Sequence, residues 1–228
     1  MTDGRTHLAY ELLLTNASDQ DVTVDSVEVD SGEKTLLQLR GDRLAYWTRL
    51  AGGHDPTTKL GAGQLAKVWL DVAIDANSTV PQHLSHKLVV NVTRPMPPLV
   101  PPVVTETVAD VTVSGRRPAV ISPPLYGQNW LDANSCCDMT PHRMALNPID
   151  GKLWGAERFA IDYLQLTDDG RVFRGDQTKP ESYPYFGADI HAVAELLRQA
   201  GRKLESAEAG AKDHDAHRAS IGASPVSA

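Results

Sequence analysis

Several things that would decide the class of this chain outright are scarce or missing. Of its 228 residues only two are cysteine, Cys136 and Cys137, and they are adjacent, so each has no other partner in the chain. No apolar run approaches the roughly 20 residues of a membrane span. No run of lysine and arginine offers the cationic footprint that phosphate backbones require, and the net charge of -7 argues against nucleic acid as a partner. An anionic surface gives no pull toward acidic membranes either. The opening Met1-Thr-Asp-Gly-Arg-Thr-His is not a signal peptide, which places the chain in the cytoplasm if Met1 is the true start, and in the cell envelope or outside it if a leader is missing. What remains is a globular composition, 41% hydrophobic and 22% charged, long enough for one large domain or two small ones.

The first half reads as strands. Leu8, Tyr10, Leu12 and Leu14 share one parity, Asn16 to Asp21 makes a turn, and Val22 and Val24 are followed by Val27 and Val29 on the opposite parity. That shift predicts either a bulge near Asp25-Ser26 or two short strands in place of one. Glu33 to Leu39 is a third strand, Gly41-Asp-Arg an interruption, and Leu44 to Leu50 fits a strand or a short helix. Ala66 to Ile74 alternates most regularly, with Val68, Leu70, Val72 and Ile74 predicted to face inward. His86 to Val92 and Val103 to Val113 supply further strands. About seven short strands separated by Gly, Asn, Asp and Pro predict an antiparallel β-sandwich.

No chemistry is written into that half. His7, His54, His83 and His86 stand without carboxylate or cysteine companions at ligand spacing and read as surface or structural residues. Asn16, Asn77 and Asn91 each begin a glycosylation triplet, a pattern that matters only in a secreted eukaryotic protein. The run Arg94-Pro-Met-Pro-Pro-Leu-Val-Pro-Pro breaks a sheet, but β-type residues resume at Val103 and stop at Ser114-Gly115. We therefore place a β-sandwich at 1–115, a second domain at 116–194, and a helix with a polar, disordered tail at 195–228. The helical stripe Ile190, Val193, Leu197, Ala200, Leu204 sets that helix from about Asp189 to Ala209.

Unusual residues concentrate between Tyr126 and Asp162: both cysteines, two of the four tryptophans, a histidine, arginines and several carboxylates. A loop of that composition is where a site is expected, with a long, ordered loop that caps a β-domain and buries two thiols as the equal alternative. Neighbouring α-carbons sit near 3.8 Å, whereas disulfides favour at least about 4.4 Å. Two shielded thiols are therefore expected at Cys136 and Cys137, with thiolate metal binding alongside Asp138 and His142 as the alternative.

Asn134-Ser-Cys-Cys-Asp, His142-Arg143, Glu157-Arg-Phe-Ala-Ile-Asp162, Gly170-Arg-Val-Phe, Gly175-Asp176, Tyr183 to Gly187 and His191-Ala-Val-Ala194, preceded by a sandwich opening Asp3-Gly-Arg-Thr-His-Leu-Ala-Tyr, resemble the actinobacterial, sandwich-fused branch of the lysostaphin-type zinc metallopeptidases. The resemblance covers roughly residues 3–194. It implies a β-rich peptidase core that hydrolyses the peptide cross-links of bacterial cell wall. It also implies a zinc ion held by a histidine, an aspartate four residues later, and the last histidine of a distant His-x-His strand, with another histidine as base.

Carried over residue by residue, that ligand set is incomplete. Asp162 occupies the aspartate position and is the one metal residue the resemblance supplies, while the histidine position holds Arg158, whose guanidinium cannot lose its proton to bind zinc. The His-x-His strand is absent, so no catalytic residue and no cofactor-binding residue carries over. Zinc is expected in the family and none in this chain. An ion pair between Arg158 and Asp162 is expected where the metal would sit, provided a local bend brings them together. These readings make the chain a degenerate or truncated member of the family, a non-catalytic binding or scaffold protein whose partners are peptidoglycan peptides or another protein. The alternative is an active zinc endopeptidase.

Overall fold

The computed structural model describes residues 3–116, 118 and 120–193. The chain is mainly β and divides into two compact units, Met1–Arg116 and Arg117–Ala228. Among the described residues no helix is long and apolar enough to cross a membrane.

The first unit holds β1 (Thr6–Thr15), β2 (Val22–Ser31), β3 (Lys34–Arg40), α1 (Gly41–Tyr46), β4 (Thr48–Leu50), β5 (Lys59–Leu60), β6 (Leu65–Ile74), β7 (His83–Val92) and β8 (Val103–Thr112). One sheet runs β1-β6-β4; the other runs β3-β2-β7-β8, with β5 pairing β2 beyond the end of β3. All pairings are antiparallel. Leu12, Val68, Leu70 and Val72 of the first sheet and Val24, Val27, Val29, Leu39 and Leu88 of the second form one core. The alternation of β6 does what a period of two requires: Val68, Leu70, Val72 and Ile74 are all buried. Trp69 is buried as well, with Lys67 Nζ 5.1 Å from its ring centre.

The parity shift in β2 is a bulge. Its register against β7 slips between Val24 and Ser26, which returns Val27 and Val29 to the core after Val24. The interruption at Gly41 is there: β3 ends at Arg40, Gly41 at φ 52° opens α1, and the span from Leu44 to Leu50 divides between that helix and β4. The turn after β1 is built by a side chain. Asn16 is buried, its Nδ2 lies 2.7–3.0 Å from the carbonyl oxygens of Gln20, Leu60 and Gly61, and its Oδ1 accepts from the backbone and hydroxyl of Ser18.

Two of the isolated histidines turn out to have partners. His86, fully buried on β7, lies between the Tyr10 hydroxyl and the Ala109 carbonyl. His7 sits between Asp71 Oδ1 at 2.8 Å and Asp3 Oδ2 at 2.9 Å, so the reading of it as lacking carboxylate companions is corrected. Asp3 is one turn of sequence away, and Asp71 is delivered by the β1–β6 pairing. Burial pulls the His7 imidazole pKa down, but the hydrogen bonds and charges of the two carboxylates outweigh it and leave the value raised. On the outer face of the second sheet, Glu28 accepts from Gln38 and Arg40 of β3 and Lys87 of β7. The Gln38 bond, then Arg40 and Lys87, hold its carboxyl below the ordinary glutamate value against the opposing effect of burial.

Candidate functional site

The segment that the sequence singled out is not one long loop. The second unit carries β9 (Trp130–Asn134), α2 (Pro141–Met144), β10 (Asn147–Ile149), β11 (Lys152–Trp154) and β12 (Asp162–Gln165). β10 and β11 form a hairpin around Asp150-Gly151, both at positive φ (49° and 72°). An Asp-Gly pair between short apolar runs signals such a hairpin, and that signal was present in the sequence. β9 and β12 pair antiparallel, with Asn134 opposite Asp162 and an irregularity just after Asp162.

That pairing creates the site. Asn134 Nδ2 donates to Asp162 Oδ2 across the ribbon at 3.2 Å. The same oxygen lies 3.3 Å from His142 Nε2. His142 is placed by α2, a single turn that begins at Pro141 and is capped by Thr140, whose side chain accepts from the Arg143 N–H and whose hydroxyl donates to the Ser135 carbonyl. The other ring nitrogen of His142, Nδ1, is 3.2 Å from the Ala160 carbonyl oxygen. Both ring nitrogens therefore face acceptors. A doubly protonated ring donates to both; the neutral ring with its proton on Nδ1 keeps the Ala160 bond alone. The imidazole is largely shielded, with 14% of its side chain exposed, whereas Asp162 is 60% exposed and open to solvent.

Asp162 thus meets Asn134 and His142, where a pairing with Arg158 was expected. Arg158 lies in a turn before β12 rather than within the strand, with its guanidinium carbon 5.9 Å from the Phe159 ring centre. Sequence spacing gave no sign of His142 reaching Asp162, because the 19 intervening residues include a hairpin and a turn. The two cysteines also depart from expectation. Cys136 and Cys137 are bonded to each other, with sulfurs 2.08 Å and α-carbons 3.7 Å apart, so shielded thiols are not what the loop contains. Cys137 adopts φ 88°, which lets the adjacent side chains turn toward one another despite the short α-carbon spacing. Both sulfurs are occupied by the bridge, and the thiolate set with Asp138 and His142 is not formed.

The donor chemistry of the site can be weighed against the zinc that the resemblance implies. Asp162 and His142 bring two ligand types to one place. Asn134 turns an amide N–H toward the carboxylate, and Arg158 has no lone pair to offer. Among the described residues no group of three or more histidine, cysteine or acidic side chains comes together. These residues do not fit a three-ligand zinc centre. Of the expected C-terminal helix, residues 189–193 are described and are not helical, and 194–228 lie outside the described residues. No family model matches the chain, and no curated protein or solved structure does.

Proposed function

We propose that the chain is a non-catalytic binding or scaffold protein of lysostaphin-type descent, which engages wall peptides at the surface of its second unit without hydrolysing them. The observation that carries this reading is the engagement of Asp162, the single metal position the resemblance supplies, by Asn134 and His142 on one carboxylate oxygen. A hydrolytic zinc requires three protein ligands and an open position for water. Here one carboxylate oxygen is engaged in a solvent-exposed clasp with Asn134 and His142, and the preceding ligand position is an arginine. Exposed Tyr126, Trp154, Phe159 and Phe186 give the same unit flat apolar surface of the kind that binds extended peptides.

The test uses purified full-length chain with soluble peptidoglycan cross-link peptides. The expected result is saturable calorimetric binding, no cleavage products by mass spectrometry, and no stoichiometric zinc by elemental analysis. Chelator-sensitive cleavage abolished by Asp162→Ala would instead make the chain an active zinc endopeptidase.

A further inference from the structure

The bridge between Cys136 and Cys137 cannot act as a staple. A disulfide stabilises a fold chiefly by closing a long loop of the unfolded chain, and adjacent residues close the smallest loop there is. What the bridge fixes is local: the backbone of the two cysteines, of which Cys137 is held at φ 88°. For a residue with a β-carbon that left-handed region is unfavourable, and it persists only under constraint.

The position of the bridge gives that constraint something to control. Asn134 ends β9 on one side of it, and Thr140 caps α2 on the other. Between them the loop folds back on itself, the Thr140 N–H donating to the Asp138 carbonyl at 2.8 Å and the Thr140 hydroxyl to the Ser135 carbonyl at 2.7 Å. The elements that this loop joins are the ones that bring Asn134 and His142 to Asp162 Oδ2. A single turn such as α2 has no helical stability of its own, so the direction of His142 follows the loop that leads into it. At 3.3 Å the contact of His142 with Asp162 is longer than the usual N···O distance of about 2.9 Å, and a small displacement of α2 opens it.

We infer that Cys136 and Cys137 form a thiol–disulfide exchange site whose redox state closes or opens the clasp on Asp162. The reductant is a dithiol. Cys137 is exposed and Cys136 half-buried, so a thiolate of the dithiol attacks Cys137 Sγ, the bond between the two protein sulfurs breaks, and Cys136 leaves as a thiolate. The second sulfur of the dithiol then attacks the first within the mixed disulfide and displaces Cys137. Two electrons and two protons pass to the protein, which ends with two thiols, and the reductant ends as a cyclic disulfide. Cys137, released, returns to an extended backbone, the loop lengthens, and His142 is carried off the carboxylate. Exchange with a small disulfide runs the other way: one cysteine forms a mixed disulfide, its neighbour displaces the small thiol, and the bridge is restored within one molecule. None of this depends on what the second unit binds.

The experiment uses the full-length, isotope-labelled chain, with dithiothreitol as the dithiol and oxidised glutathione as the small disulfide. Protein kept free of reductant should show no thiols toward a chromogenic disulfide reagent, and both cysteines should react after dithiothreitol treatment and anaerobic desalting. Oxidised glutathione should return the chain to a thiol-free monomer. On reduction, amide hydrogen exchange at Thr140 and Arg143 should quicken about five- to thirtyfold, the factor that release from a left-handed backbone allows. The imidazole signals of His142, identified by their absence from His142→Gln, should shift. Leu166, whose N–H is held by the Asn129 carbonyl, and His86 in the first unit should not change. The double variant Cys136→Ser/Cys137→Ser should exchange like the reduced chain with or without dithiothreitol; if it does not fold, the parent with and without dithiothreitol decides. Thiols present without reductant, a bridge that yields only after denaturation, re-oxidation to a dimer, or unchanged exchange and His142 signals after reduction would each overturn the inference. So would loss of protection at Leu166 on reduction, which would make the bridge a structural part of the second unit, or slow exchange in a folded double variant, which would show that the bridge does not hold the loop.

Discussion

Tyr10 and His86 tie the two sheets of the sandwich together: the hydroxyl of one, on β1, lies 2.9 Å from Nε2 of the other, on β7, with the rings edge to face. The far nitrogen of His86 is 2.9 Å from the carbonyl of Ala109, a non-glycine residue at φ 51° where the β7–β8 register slips. A polar chain thus runs from an edge strand, through the core, to the bulge on the opposite edge. Tyr10→Phe keeps the ring and deletes one end of the chain, leaving a buried imidazole nitrogen unmet. Chemical denaturation should show a loss of about 1–3 kcal/mol.

Burial also pushes the Tyr10 hydroxyl pKa up from 10.0 to about 12. Between those values the unfolded chain gives up the phenolic proton and the folded chain keeps it. The contribution of Tyr10 is therefore complete below pH 10 and lost as pH rises toward 12. Comparing the parent with Tyr10→Phe across that range should show the difference in stability narrowing with increasing pH.

His7 gives a second pH dependence, near neutrality. Its folded value is raised, so its contribution is complete below the ordinary 6.5 and is lost as pH rises through the higher folded value. His7→Gln should flatten the part of the stability profile that falls above pH 6.5. Thermal melts of both chains at pH values on either side of that point test this.

Glu28 acts with the opposite sign. Its lowered carboxyl stabilises the folded state above the ordinary 4.5 and ceases to do so as pH falls through the depressed value. Arg40 and Lys87 are about half exposed, so solvent weakens their share. Glu28→Gln should shift the acid-unfolding midpoint and cost about 1 kcal/mol at neutral pH.

In the core, Leu70 is fully buried, and Leu70→Ala should cost about 2–5 kcal/mol. At the clasp of the second unit, Asp162 is 60% exposed, so His142→Ala should cost less than about 1 kcal/mol. A much larger loss at His142 would show that the clasp is structural rather than a surface arrangement.

The sandwich was legible because its signal is local. Alternation from Ala66 to Ile74 and the parity shift after Val24 can be read within ten residues, and both survive in the structure. What escaped was set by distance or by single torsions. His142 reaches Asp162 only once β12 has paired with β9 and α2 has folded over Ala160. The bridge between Cys136 and Cys137 depends on one residue taking a left-handed backbone, which composition does not encode. The two-residue β5 is too short to leave a periodic trace, whereas the Asp150-Gly151 turn was visible and simply outweighed by the polar residues around it.

Asn16 shows how a motif and a fold can claim the same nitrogen at different times. The triplet it opens would attach a sugar at Nδ2, but in the folded unit that nitrogen is already surrounded by three carbonyl oxygens that close the turn between β1 and β2. An oligosaccharide could be added only while the chain is still emerging and the turn is open, and once added it would prevent closure. In a glycosylating host the chain would thus partition at Asn16 between folding and modification, with the speed of the first hairpin deciding the yield.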